Sequence, residues 1–171
     1  MQWYETEWEQ AEALRADIIA RVAARPETKR NDKPAPDAWS PLQIVAHIIL
    51  AERFINDYAK PDGIAPDTPV AWWQPVVIRT LNGALGAGIA LPAPEMMLPG
   101  DEPAKLPAQG REWSAERDRF HAMLAASPPD RVTGAHPIFG PITAAQMLSM
   151  MNAHLAYHIK RFPGTGAGVR R

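Results

Sequence analysis

Proline placement partitions this chain more sharply than any other feature. A proline inside a helix removes a backbone donor and collides with the preceding turn, at a cost of about 3 kcal/mol, so long helices are confined to stretches that lack it. Nine of the 18 prolines lie between Lys60 and Gly110, and three more lie between Arg25 and Ala38. Among the stretches free of interior proline are 4–24, 42–58, 112–126 and 144–162. A chain of 171 residues buries roughly 70% of its unfolded surface, enough for these stretches to share one core.

Each stretch carries helical signs. Tyr4, Trp8, Ala11, Leu14, Ile18 and Val22 recur at intervals of three and four, the spacing of one buried stripe. Trp39-Ser40-Pro41-Leu42-Gln43 opens a second helix, because Ser40 can cap, Pro41 suits the first turn and Gln43 completes a capping box. That helix is expected to run from Pro41 to about Tyr58. A third is expected from Glu112 or Ser114 to Ala126 with Trp113, Phe120 and Leu124 inward, ended by Ser127-Pro128-Pro129. Thr143-Ala144-Ala145-Gln146 is a second capping box, opening a helix that reaches about Phe162 before Pro163. The crossover admits one further helix, around Trp72 to Leu85, and no alternating stretch of convincing length predicts a strand. The fold class read from these signs is all-α: a four-helix bundle with a long crossover between the second and third main helices, the first two forming a helical hairpin. The domain is expected to span 1–163, with 164–171 as a flexible C-terminal tail.

Composition narrows the partners. Eighteen basic and 19 acidic residues nearly cancel without long blocks of either sign, so neither nucleic acid nor an anionic membrane is offered a broad field. The longest apolar run, Ile44 to Ala51, is far short of the roughly 20 residues that span a bilayer. Met1 to Glu5 is acidic and aromatic where a signal peptide is basic and then apolar, so a cytoplasmic location is expected. Cysteine is absent, which removes disulfides and thiolate ligands and leaves histidine and oxygen to hold any metal.

The histidines supply candidates. His154 and His158 are four apart and therefore lie on one helix face, behind Met147, Met150 and Met151, which aim that face inward. Five histidines in this length give about 0.1 such pairs by chance, so the pair can chelate one ion or can be two core histidines hydrogen-bonded inside the bundle. His47 sits in a segment that is apolar on every side, where an unpaired imidazole costs a few kcal/mol; a shared metal or a backbone carbonyl would each satisfy it. His136, before Pro137 in a loop, and His121, at the edge of a stripe, are weaker ligand candidates.

Taken together these residues resemble the DinB-like family, whose pattern is a Trp-Ser helix start, then Ala-His-Ile, then a His-Pro-x-Phe-Gly turn and a helix with His-x-x-x-His. Here it reads Trp39-Ser40 to Ala46-His47-Ile48, then His136-Pro137-Ile138-Phe139-Gly140, then His154-Leu155-Ala156-Tyr157-His158. Members often carry a glutamine after the last histidine, where this chain has Lys160, Arg161 and Phe162. The resemblance implies one divalent metal ion, nickel or zinc, on His47, His154 and His158, frequently in a homodimer. It also implies a metal-dependent enzyme acting on a small-molecule substrate: a transferase using a low-molecular-weight bacterial thiol, or a hydrolase. The alternative is a non-catalytic metal-binding bundle that holds an apolar small molecule or a protein partner. Glu52, about 140° around the helix from His47, is expected to face away, so no general base is named. The Trp72-Trp73 pair is placed either to roof a pocket over the metal or to plug the core.

Overall fold

The structure is a computed structural model that describes residues 2–59, 68–89, 92–136 and 139–162. It is broadly all-α: the described residues form five α-helices and one small antiparallel ribbon. The helices are α1 (Glu5–Ala23), α2 (Pro41–Tyr58), α3 (Gln74–Gly86), α4 (Leu106–Ala125) and α5 (Ala144–Lys160). Strands β1 (Val132–His136) and β2 (Gly140–Thr143) pair between α4 and α5. The expected tail, 164–171, lies outside the described residues.

Both capping boxes form. The Ser40 hydroxyl accepts from the Gln43 amide at 3.1 Å while Gln43 Oε1 accepts from the Ser40 amide at 3.0 Å. Thr143 and Gln146 repeat the exchange at 3.2 and 3.0 Å. Each cap is worth about 1 kcal/mol and, more to the point, fixes where its helix begins. The starting residue in turn sets which side chains of α2 and α5 face each other.

The core lies where the helices meet. Ile44, Val45, Ile48 and Ile49 of α2, Trp113, Phe120 and Leu124 of α4, Ile18 and Val22 of α1, and Leu148 and Leu155 of α5 are buried. Full burial of one such aliphatic side chain contributes about 2 kcal/mol, so the apolar stripes supply the main drive to fold.

Three expectations are corrected. First, α4 begins at Leu106, not at Glu112 or Ser114. Pro107 sits in the first turn, where its missing N–H costs nothing, so this proline marks the helix start. Second, α1 and α2 are not a close hairpin. α1 packs chiefly on α5, and α2 on α4, because the connector from Ala24 to Ser40 is too long to force neighbours in sequence to be neighbours in space. Asn152 on α5 donates to the Glu7 carbonyl at 2.9 Å along that α1–α5 contact. Third, the β1–β2 ribbon has no alternating signature: its strands have five and four residues and include Gly134, Gly140 and Pro141.

One glycine of that ribbon is there for space. A Cβ at Gly134 would collide with the Tyr58 carbonyl and lie 2.6 Å from Met147 Cε, and Gly134 bridges to Ala59. The end of α2, the first turn of α5 and β1 therefore meet at a point that admits no side chain.

Candidate metal centre

The capped starts of α2 and α5 bring His47, near the beginning of one helix, against His154 and His158, near the end of the other. His47 Nε2 lies 3.1 Å from His154 Nε2, and His158 Nε2 lies 2.9 Å from the same atom. All three ligand nitrogens fall within 4.8 Å of one another. His47 and His158 are buried and His154 is half-buried.

His47 is held from behind. Its Nδ1 lies 2.8 Å from the Met97 carbonyl, which can only accept, so Nδ1 carries the proton and Nε2 of the neutral ring presents a bare lone pair. The Trp39 ring packs against the imidazole with centroids 4.6 Å apart. Tyr157 lies against His158 at 5.0 Å. Neither Trp39 nor Met97 was singled out as a support of the site from sequence. Trp39 carried a signal, since it precedes the cap, whereas a carbonyl in a Pro-rich crossover carries none.

The donor set cannot satisfy itself. A neutral imidazole nitrogen offers either one proton or one lone pair, so His154 Nε2 can make an ordinary hydrogen bond to His47 Nε2 or to His158 Nε2 but not to both. Protonating a ring would supply a donor, but burial opposes it. His154 is pushed down to about 3 by burial and then by the neighbouring His47. His158 is held well below its ordinary value by burial, then by His154 and His47. Burial lowers His47 as well, against the pull of the Met97 carbonyl. Three neutral imidazole nitrogens turned toward one point suit an electropositive guest. Nitrogens at about 2.0–2.1 Å from one ion lie about 3 Å apart at right angles and about 3.4 Å apart at tetrahedral angles, close to the contacts observed. This three-histidine cluster could hold a metal ion.

The other candidates lie elsewhere. His121 is exposed on α4 between Tyr4 and Trp8, with ring centroids 5.4 and 4.8 Å away. His136 stacks on Phe139 at 4.6 Å and lines a small apolar pocket with Phe54, Tyr58, Met147 and Met150. Glu52 is buried and turned toward Arg117 of α4, at 3.5 Å. Trp72 is 88% exposed and Trp73 41%, so the pair does not plug the core.

The family model of the DinB superfamily matches residues 10–160. The chain belongs to the DinB superfamily. No curated protein and no solved structure gave a match. The match spans all five helices of this DinB-superfamily chain apart from the first turn of α1, and includes every residue of the histidine cluster.

Proposed function

We propose that this chain is a metal-dependent enzyme in which His47, His154 and His158 hold one divalent ion, nickel or zinc. The observation that carries the reading is the convergence of three imidazole nitrogens that cannot all pair with one another. Three protein ligands leave a position open on such an ion, the arrangement of catalytic sites; bound there, the ion would acidify a thiol for transfer or a water for hydrolysis. The chain's own part is to keep the rings neutral by burial and to fix the His47 tautomer through Met97. Both chemistries use the same three ligands, and among the described residues no carboxylate joins the cluster. The reading includes a small-molecule substrate, a homodimer and a cytoplasmic location. Among the described residues no helix is long and apolar enough to cross a membrane.

A second reading, a metal-binding bundle without catalysis, draws on the same missing carboxylate. One experiment separates the two. Tag-free protein is assayed for bound metal and then for turnover of electrophiles with a panel of small thiols. Stoichiometric metal with metal-dependent turnover supports the enzyme; metal with no turnover supports the binder; no metal under any loading condition defeats both.

A further inference from the structure

His47 joins the cluster to a largely exposed segment of the connection between α3 and α4. The Met97 carbonyl belongs to a single 3-10 turn, Glu95–Met97, in the connection between α3 and α4. Its neighbours Met96 and Leu98 are 63% and 44% exposed, and Pro99 is the one buried residue between Glu95 and Asp101. The polar fastening comes chiefly from one face of α2. One turn before His47, Gln43 Nε2 donates to the Gly100 carbonyl at 3.0 Å and to Asp101 Oδ1 at 3.1 Å. Lys33 reaches the same Asp101 oxygen at 2.8 Å. Residues 95–101 thus form a strap held on α2 at two points, His47 and Gln43.

We propose that seating of this strap and occupation of the histidine cluster by a divalent ion stabilise each other, with His47 as the joint; the inference rests on the metal reading above. The physical link is the imidazole. A seated strap keeps the proton on Nδ1 and leaves Nε2 bare for the ion. An ion on Nε2 draws electrons from the ring, makes the Nδ1 proton a stronger donor and tightens the bond to Met97. Partners of this kind behind a ligand change metal affinity by about 10- to 100-fold when removed outright. Linkage requires the converse: whatever the strap contributes to ion binding, the ion returns to the strap.

Gln43→Glu tests the link without touching a ligand. Glutamate still completes the capping box with Ser40, but it loses the donor to Gly100 and sets a carboxylate against Asp101. The expected result is a three- to tenfold weaker dissociation constant for zinc or nickel by titration calorimetry, with an unchanged helical spectrum. Asp101→Ala, at an exposed position, is the second variant should Gln43→Glu fold poorly, and the same direction is expected. In the wild type, adding zinc should slow hydrogen exchange of the Met97 and Leu98 amides several-fold, since these bond within the strap to the Pro94 and Glu95 carbonyls, and leave the α4 amides unchanged. If the wild type binds metal while both variants bind it equally well and strap exchange ignores the ion, the link is overturned and the metal reading stands. If the wild type takes up no ion, both fall together.

Discussion

The molecule buries two polar clusters, and they differ in whether the groups they bring together are opposite or alike. Between α1, α2 and α4, Arg117 and Glu52 are 2% and 1% exposed, and their charges are opposite. Arg117 Nε bonds Glu12 at 2.7 Å, and Glu12 also takes Arg15 at 3.0 Å. Arg15 continues to Ser114 at 2.6 Å, and Arg117 lies over the Trp8 ring at 3.9 Å. The cluster between α2 and α5 is three copies of one chemical group, all facing the same point. Groups of opposite charge attract one another without a guest, so the first cluster belongs to the fold. Three like groups cannot all pair with one another, so the second could hold a guest.

The largest effect should come from breaking the complementary cluster. Arg117→Met takes the nearest cation from Glu52 and the partner from Glu12, and removing one partner of a buried ion pair costs about 3–5 kcal/mol. Urea unfolding followed by circular dichroism measures this. A loss under 1 kcal/mol would show that the cluster does not hold the fold and would erase the contrast.

Acid and base should pull the two clusters in opposite directions. Burial raises the Glu52 carboxyl to about 7, against the opposing influence of Arg117 and Trp113. The folded chain therefore keeps this proton at pH values where the unfolded chain has lost it. Stability from Glu52 falls as pH rises from about 4.5 to about 7, by about 3 kcal/mol, and is level above that. The histidines have depressed values when folded, so the unfolded chain takes up protons that the folded cluster refuses. Their contribution falls as pH drops below about 6.5. Metal-free wild type should thus lose stability on both sides of an intermediate pH. Glu52→Gln should remove only the decline between about 4.5 and 7, and an unchanged profile in that variant would refute the assignment.

Loss of a ligand should be gentler on the scaffold. At a metal concentration one hundred times the dissociation constant, a guest that binds only the folded state adds about 2.7 kcal/mol. His154→Ala should abolish that increment, stoichiometric metal binding and any thiol-dependent turnover, while metal-free stability changes by about 1 kcal/mol or less. Unfolding of this variant at room temperature would make the histidine cluster as structural as the charged one. The smallest effect calibrates the scale. Arg119→Ala breaks ion pairs to Asp57 and Glu116, both 2.9 Å, at a residue half exposed to solvent, and should cost under about 1 kcal/mol.

The parts of this molecule written in local sequence were legible, and the parts written across the chain were not. Ser40 with Gln43, and Thr143 with Gln146, announce the starts of α2 and α5 because a cap is a contact between near neighbours. Those two starts were enough to turn His47 and the His154–His158 pair inward. The β1–β2 ribbon escaped because its residues satisfy a pairing and a close approach rather than a hydrophobic rhythm. The start of α4 escaped because Pro107 can mark either a break or a beginning. Met97 escaped for a different reason: its contribution is a carbonyl oxygen, which every residue possesses.

Gly134 has a mechanical consequence. α2 and α5 run antiparallel and are pinned together where Gly134 meets Tyr58 and Met147. His154 lies seven residues beyond Met147, and His47 eleven before Tyr58, so the histidines sit about 10–16 Å out along two rods that share a fulcrum. Play at the fulcrum is magnified at the tips. A methyl group at position 134 would wedge the rods apart at the pin, and the displacement would arrive, enlarged, at the jaws where the three nitrogens meet.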